Sequence, residues 1–300
     1  MDILIALFPL IVMIAMGYLL KRSQYLATDF WAGAEKFNYF ILFPTLLFTN
    51  LAYIELDLDA VKLVLATLFI VIIIVSLLLW SFKLWRYIPA ARFGVYMQSH
   101  IRFNTYMGLS LMTPLFGAKG MQLFAMIMVV SIPLVNIISV LSFSQGQGVS
   151  FKNTLLSVFK NPLILGCIVG MLFNLSGLKL FIGIENALKL LAGMSLPLGL
   201  ICVGAGLQFS ALGRSLPRLA INTVGRLVLM PLLAYAICSM MPLSQLEKAV
   251  LVVFFALPTA TASYMLTKFC QGDSELMAGV ISLQTLCFAL SFPVLMWLLF

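Results

Sequence analysis

The chain has 300 residues, of which 63% are hydrophobic and 9% are charged, and its formal net charge is +8. Soluble domains are about half apolar and about a quarter charged, so this composition excludes a soluble globular protein and indicates a polytopic membrane protein. The basic residues are spread over many short segments instead of forming one cluster, which argues against nucleic acid as a partner.

Ten membrane-spanning helices are predicted when the sequence is divided at its charges and turn residues. They lie at residues 3–20, 37–54, 61–82, 93–116, 121–143, 161–178, 188–208, 218–241, 249–268 and 276–299. Each is close to the roughly 20 residues that a hydrocarbon layer of about 30 Å requires. The first lacks the basic region of a signal peptide, so we interpret it as a retained span.

A sequence repeat relates the two halves of the chain. The tripeptide Pro-Leu-Ile occurs at residues 9–11 and again at 162–164, an offset of 153 residues that also pairs Pro44 with Pro197. Matching motifs at one fixed offset favour an internal duplication. Equivalent positions of the two copies are separated by five membrane crossings. Because five is an odd number, the second copy is inverted in the membrane relative to the first. The predicted fold class is an all-α polytopic membrane protein with ten transmembrane helices in two inverted five-helix repeats.

The repeats are predicted at residues 1–145 and 159–300, joined by a cytoplasmic linker at 146–158. Of the 18 Lys and Arg residues, eleven lie at span ends on one side of the membrane, five lie on the other side, and two lie within spans. Cytoplasmic loops carry the excess of Lys and Arg, so both termini are predicted to lie outside a cytoplasmic (inner or plasma) membrane.

The fourth predicted span is long enough to cross a bilayer, but its middle is polar. Ser99, His100, Arg102, Asn104 and Thr105 stand where a lipid-facing helix would carry leucine or isoleucine. A charged side chain at the bilayer centre costs roughly 3 kcal/mol on insertion scales, so such residues normally face a bundle interior, a watery cavity or a ligand. We therefore expect a functional site at this position.

The ninth predicted span breaks at Pro258, which lacks a backbone donor, and small hydroxyl residues follow it. Interrupted helices at matching positions of inverted halves mark the binding site of many transporters. The N–H groups at the start of each second half, together with the helix dipole, favour an anion. The predicted substrate-binding residues are Arg102, Asn104, Thr105, Pro258, Thr259, Thr261 and Ser263. Asn136 and Gln284, in the fifth and tenth spans, are expected to pack beside the broken helices.

Several of these residues allow a structural reading as well as a functional one. Asn104 either binds substrate or joins two helices by a hydrogen bond. Arg102 either neutralises a bound carboxylate or binds carbonyls at the broken end of the ninth span. The hydroxyl residues after Pro258 either bind a ligand or satisfy the local backbone. His100 and Arg226 are candidates for ion or proton coupling, against a structural histidine and an arginine that snorkels to the cytoplasmic face.

The sequence excludes several other kinds of site. It contains one histidine and five dispersed cysteines, which excludes a multi-histidine zinc site, a thiolate metal site and a disulfide framework. No nucleophile with a base and no paired aspartates lie within the spans, so no enzyme and no cofactor are expected. The coupling ion stays open between Na⁺ and H⁺.

Three passages carry a family resemblance: FNYFILFP at residues 37–44, RFNTYMG at 102–108 and ALPTATASY at 256–264. With them the chain resembles, over essentially its whole length, the auxin efflux carrier family of membrane transporters in its short bacterial form, and more distantly the bile-acid sodium symporters. The resemblance implies ten helices in two inverted repeats, with broken fourth and ninth helices that cross at the substrate. It also implies carboxylate substrates, which are auxin in plants and small acids such as malate or malonate in bacteria.

The sequence departs from the family pattern at two places near the expected crossing. Ser110 stands where the family often has the proline of a Gly-x-Pro motif, and Ala262 stands about where plant carriers have a proline. These departures favour the small-acid branch over a pocket for an indole-sized acid.

The sequence therefore predicts a secondary transporter in the lipid bilayer that moves a small organic anion by alternating access. The alternative is a membrane sensor or binding module that holds an organic anion without moving it. A homodimer is left open.

Overall fold

The computed structural model describes residues 2–53, 58–143, 161–213 and 216–300, and within these ranges the chain is helical and has no strand. Six of the described helical stretches are long and apolar enough to cross a membrane, and a further apolar helix, Pro162–Ser176, is shorter. The chain is therefore an all-α polytopic membrane protein. The predicted linker at 146–158 lies outside the described residues.

The described helices run in chain order with short connections. The first half contains α1 (Asp2–Arg22), α2 (Thr28–Phe37), α3 (Phe43–Leu51), α4 (Leu58–Arg86), α5 (Ala90–Ile101) and α6 (Thr105–Phe143). The second half contains α7 (Pro162–Ser176), α8 (Ile182–Ala205), α9 (Leu216–Val224), α10 (Met230–Ser239), α11 (Gln245–Ala256), α12 (Ala262–Phe269) and α13 (Ser274–Leu299). Wide π-helical turns join α2 to α3 at Asn38–Leu42 and α9 to α10 at Gly225–Leu229.

Local sequence explains where several of these helices begin. Ser244 and Glu247 form a capping box at the start of α11, where each side chain accepts a hydrogen bond from the backbone N–H of the other residue. The side chains of Asn161 and Asp273 cap α7 and α13 by accepting a hydrogen bond from the backbone N–H of Leu163 and of Leu276. Within α6, Gly117 has φ 65° and ψ −162°, a conformation that only glycine adopts at little cost, so the chain kinks there.

Helices α1 and α8 come so close together that their backbones nearly touch. A side-chain carbon at Gly17 would lie 1.9 Å from the carbonyl oxygen of Ile201, and one at Gly204 would lie 1.9 Å from that of Ile14. Glycine is therefore required on both helices for their backbones to come this close. Small residues at such contacts are a common device in membranes, where packing replaces the hydrophobic effect between helices.

A second helix pair, α7 on α3, uses glycine in the same way. Side-chain carbons at Gly166 and Gly170 would lie 2.7 Å from the carbonyl oxygen of Pro44 and 3.1 Å from the backbone of Phe48. Helix α4, by contrast, presents an apolar surface outward, with Ile73, Leu77 and Leu78 exposed. An exposed apolar face of this kind is suited to contact with lipid.

Candidate functional site

Two interruptions in the helices meet in the buried interior of the protein. Residues 102–104 are non-helical between α5 and α6, and residues 257–261 are non-helical between α11 and α12. The backbone N–H of Asn104 donates to the carbonyl of Pro258 at 2.9 Å. The hydroxyl of Thr259 donates to the carbonyl of Ser99 at 2.8 Å. The two broken helices are thus hydrogen-bonded to each other at their breaks.

The residues at the breaks account for the local backbone. Leu257 precedes a proline, which disfavours the helical conformation, and its ψ of 144° ends α11. On the other chain segment, Arg102 has an extended backbone with ψ 138°. The Asn104 side-chain oxygen then accepts from the backbone N–H of Met107 at 3.2 Å, which caps the start of α6.

Arg226 lies inside this crossing and is fully buried. Its Nε donates to the carbonyl of Leu257 at 2.7 Å, and its terminal nitrogens donate to the carbonyls of His100 and, at 3.5 Å, Phe254. The interpretation of Arg226 as an arginine that snorkels to the cytoplasmic face is therefore wrong, because its side chain points inward. The structural role that the sequence left open for Arg102, binding carbonyls at the broken ninth span, belongs to Arg226.

A buried polar network surrounds the same crossing. Gln284 on α13 accepts from the backbone N–H of Thr259 at 2.9 Å and donates to the side-chain oxygen of Asn222 at 2.9 Å. Asn222 in turn donates to the hydroxyl of Ser99 at 2.7 Å. Gln284 thus packs beside the broken helices as predicted. Asn222 was missed, although it lies four residues before Arg226, and residues at this spacing share one helix face.

A cavity of about 310 Å³ lies beside the crossing, and neither Arg226 nor the polar network of Gln284 and Asn222 lines it. Four of the predicted substrate-binding residues line it, namely Arg102, Asn104, Thr105 and Thr261. Other polar residues that line it are Glu35, Tyr39, Tyr106, Asn136 and Asn161. The cavity is therefore bounded by α2, α3 and α7 on one wall and by the α5–α6 break, α6 and the α11–α12 break on the other.

Two hydrogen-bond donors at this cavity lack a full set of partners. The guanidinium of Arg102 donates to the side-chain oxygen of Gln98 at 3.1 Å and forms no ion pair with any residue that the structure describes. The amide nitrogen of Asn104 is buried and has no hydrogen-bond partner. Both donors lie at the start of α6, where the helix dipole adds positive potential. The arrangement is suited to a negatively charged ligand.

A family model described as "Membrane transport protein" matches residues 2–296. The chain belongs to the auxin efflux carrier family of membrane transporters. No curated relative matches the chain. The crossing and its cavity are therefore parts of a membrane transporter.

Three predicted site residues of this transporter do not line the cavity. Pro258 contributes only its carbonyl, to Asn104. Thr259 is fully buried and bonds to the backbone of the other broken helix. Ser263 is also fully buried, and its hydroxyl has no hydrogen-bond partner. In this arrangement the first two hold the two breaks together, and the cavity lies beyond them.

His100 of the transporter also lies away from the cavity. Its Nδ1 is 2.8 Å from the carbonyl of Tyr96 and 3.2 Å from the hydroxyl of Ser99. Its Nε2 packs against Gly225, where a side-chain carbon would come within 2.6 Å of it. The imidazole is therefore held within the helix packing next to the wide turn that contains Arg226. Among the described residues, no group of His, Cys, Asp or Glu is arranged to hold a metal ion.

Glu35 is a cavity residue that the sequence interpretation missed. The second predicted span began at residue 37, but the transporter is helical from Thr28 through the wide turn at Asn38–Leu42 to Leu51. The earlier start places Glu35 at the cavity together with Tyr39. The amphipathic pattern of residues 28–37, in which apolar and charged residues alternate over TDFWAGAEKF, was the available signal.

Proposed function

We propose that the chain is a secondary transporter that moves a small organic anion across the cytoplasmic membrane by alternating access. The observation that carries this proposal is the pair of under-partnered donors, Arg102 and the amide of Asn104, at one cavity beside the start of a helix. A carboxylate accepts hydrogen bonds from both groups, and charge-assisted bonds to arginine are among the strongest that proteins make.

The size of the cavity supports a small acid. Its volume of about 310 Å³ is at the lower end of the roughly 300 to 1,000 Å³ of ligand pockets. Its lining mixes amide, hydroxyl and charged groups with apolar side chains such as Phe43 and Ile132. A short mono- or dicarboxylate suits this space better than an indole-sized acid, in agreement with the small-acid branch of the family.

Alternating access is supported by the position of the cavity between two groups of helices. Helices α1, α2, α3, α7 and α8 pack on one another, whereas α5 and α9 to α13 form the surroundings of the crossing. Glu35, Tyr39 and Asn161 come from the first group, and Arg102 and Thr261 belong to the second. A ligand that bridges them experiences different contacts when one group rocks against the other, as differential binding to two states requires.

We further propose that the ten predicted helices form two inverted five-helix repeats. Two close helix contacts support this, the contact of Gly17 with Ile201 and the contact of Gly170 with Phe48. Adding the offset of 153 residues to Gly17 gives Gly170, and adding it to Phe48 gives Ile201. Each contact is therefore the repeat equivalent of the other, as expected for duplicated halves that pack reciprocally.

The orientation of the cavity follows from the charge distribution. Glu35 and Asn161 line it and are the neighbours of Lys36 and Lys160, which belong to the side that is richer in basic residues. If that side is cytoplasmic, the cavity faces the cytoplasm and the termini lie outside.

The test is the melting temperature of the purified protein against a panel of mono- and dicarboxylates, with Na⁺ and with choline. A ligand stabilises the state that it binds in proportion to ln(1 + [L]/Kd). We expect one acid to raise the melting temperature of the wild type but not of Asn104→Ala. Asn174→Ala, which removes an asparagine far from the cavity, is the matched control and should keep the response. No response to any carboxylate would contradict the proposal.

Uptake of the responding acid into proteoliposomes then separates a transporter from a sensor. A transporter moves the labelled acid down an imposed gradient, and Asn104→Ala should abolish this flux while the protein remains folded. Binding without flux in the wild type would favour the sensor instead.

A further inference from the structure

Three backbone carbonyls converge on the guanidinium of Arg226. The carbonyl of His100 belongs to the last turn of α5, and those of Phe254 and Leu257 belong to the end of α11. The last carbonyls of a helix have no partner within the helix. Arg226 therefore satisfies unpaired groups at the ends of both broken helices at once.

The positive charge of Arg226 is compensated by the ends of two helices and not by a carboxylate. Arg226 is fully buried and forms no ion pair with a described residue. A buried charge without compensation is strongly unfavourable. The C-terminal end of a helix carries the equivalent of about −0.5 elementary charge, so the two ends that meet here supply about −1. This matches the single positive charge of the guanidinium.

Several other oxygen atoms at the crossing accept hydrogen bonds from within the protein. The Gln284 side-chain oxygen accepts from the backbone of Thr259, and the Asn222 side-chain oxygen accepts from Gln284. The carbonyl of Ser99 accepts from the hydroxyl of Thr259. The carbonyls of His100, Phe254 and Leu257 have their partner in the guanidinium of Arg226.

We propose that Arg226 is a resident cation, which occupies the place at the crossing where a coupling cation such as Na⁺ would otherwise bind. In transporters with broken helices, the carbonyls at the half-helix ends commonly coordinate Na⁺. Here a covalently attached guanidinium takes these ligands and cannot leave during a transport cycle. The crossing accordingly stays assembled without Na⁺, and loss of the Arg226 side chain opens a site for a small monovalent cation.

The wide turn at Gly225–Leu229 is the element that positions this cation. Arg226 is its second residue, and such π-helical turns often mark functional positions in helices. The preceding Gly225 leaves room for the imidazole of His100, whose own carbonyl Arg226 binds. Arg226 is thus a positioning residue, since it acts on the two breaks and does not line the cavity. The inference is independent of which ligand the cavity takes.

The first test uses the unaltered protein. Its melting temperature is measured in NaCl and in choline chloride at equal ionic strength. We expect no difference between the two salts, because the three carbonyls already have their cation. Stabilisation that is specific to Na⁺ would overturn the proposal, and this outcome does not depend on whether any variant folds.

The second test removes the guanidinium of Arg226 and supplies a small cation in solution instead. Arg226→Ala should lower the melting temperature by roughly 5 to 10 °C, since three buried carbonyls lose their donors. Methylguanidinium at non-denaturing concentration should restore at least half of this loss, and Na⁺ should restore part of it. Tetraethylammonium, which has the same charge but no N–H group, should restore none.

Arg218→Ala is the matched control for this test, because Arg218 is an exposed arginine on the adjoining helix α9. It should show neither the loss nor the rescue. If none of the small cations raises the melting temperature of Arg226→Ala, the proposal is overturned.

A conservative pair of variants covers the case in which Arg226→Ala does not fold. Arg226→Lys retains the positive charge but has a single nitrogen, and Arg226→Met retains the length without charge. We expect Arg226→Lys to be clearly more stable than Arg226→Met and to be indifferent to Na⁺. Equal stability of the two variants would show that the charge is not what the crossing requires, and would overturn the proposal.

Discussion

Two helix contacts in this molecule show different ways of joining helices within a membrane. The α1–α8 pair is a dry contact, in which Gly17 and Gly204 bring two backbones together without any side chain between them. The crossing of the broken helices is a polar contact, in which Arg226, Thr259 and Gln284 satisfy exposed backbone groups. Lipid offers neither hydrogen bonds nor a hydrophobic driving force, so both packing and hydrogen bonding are needed there.

The difference between them shows where function arises. The dry contact fixes geometry and offers no group to a ligand. The polar contact has two sides, and on the side of Arg226 the carbonyls are satisfied. On the opposite side, where Arg102 and Asn104 line the cavity, the guanidinium of Arg102 donates to Gln98 and the buried amide nitrogen of Asn104 has no partner. The proposed binding site is thus the part of the polar contact where hydrogen-bond donors lack partners within the protein.

The largest effect is expected from breaking the dry contact. Gly17→Val would place side-chain atoms against the carbonyl of Ile201, where a Cβ would lie 1.9 Å from the oxygen. The obstacle is backbone, which cannot rotate away, so we expect a loss of more than about 3 kcal/mol and little monodisperse protein. Size-exclusion yield and melting temperature measure the loss.

Gly193→Val in α8 is the control for this substitution, because a side-chain carbon there meets no atom within 4 Å. It should leave both quantities nearly unchanged. Equal behaviour of the two variants would mean that the α1–α8 contact is looser than described here.

A smaller effect is expected from the satisfied side of the polar contact. Gln284→Leu removes the acceptor for the N–H of Thr259 and the donor for the side chain of Asn222, which leaves two buried groups unpaired. We expect a loss of about 2 to 4 kcal/mol in the free energy of unfolding. Gln245→Leu, at an exposed position of α11, should change it by less than about 0.5 kcal/mol. A neutral Gln284→Leu would indicate that the network contributes little to the crossing.

The sequence was sufficient to predict that the two breaks exist and that the chain is an all-α membrane protein. A long apolar run that contains Arg102 and Asn104, and another that contains Pro258, cannot continue as plain lipid-facing helices. The resemblance named the auxin efflux carrier family, and the match over residues 2–296 confirms this assignment. The ten-helix repeat and the substrate remain predictions.

The roles of the two arginines were not predictable, because hydropathy reports depth along a helix but not the direction in which a side chain points. Arg226 lies eight residues after Arg218, a spacing that also fits snorkelling. The wide turn at Gly225–Leu229 sets which way Arg226 faces, and no residue pattern revealed this turn. Glu35 was missed for a related reason, since the helix that carries it begins at Thr28, before the apolar run.

The open side of the polar contact is tested by Arg102→Gln. This variant loses a charged donor at the cavity but only one hydrogen bond to the protein, that to Gln98. We expect its melting temperature to change little, while the Kd of the carboxylate that stabilises the wild type rises by about 10- to 100-fold, as loss of a charge-assisted hydrogen bond predicts. Isothermal titration of the purified protein measures this, with Arg218→Gln as control. An unchanged Kd would place the anion elsewhere.

The smallest expected effect concerns the wall opposite Arg102. Glu35 brings a negative charge to the cavity, which disfavours an anionic ligand. Glu35→Gln should therefore lower the Kd of a simple carboxylate by about 2- to 5-fold, since a partly solvated charge interaction is worth less than about 1 kcal/mol. Glu185→Gln, which breaks the surface pair with Lys189, should leave the Kd unchanged.

The sign of this change is more informative than its size. Tighter binding in Glu35→Gln means that the ligand presents only negative charge to the cavity. Weaker binding means that the ligand carries a positive group that pairs with Glu35 while its carboxylate pairs with Arg102, as in an amino acid. The two charges come from different helix groups, so a ligand of that kind would join the two walls of the cavity at both of its ends.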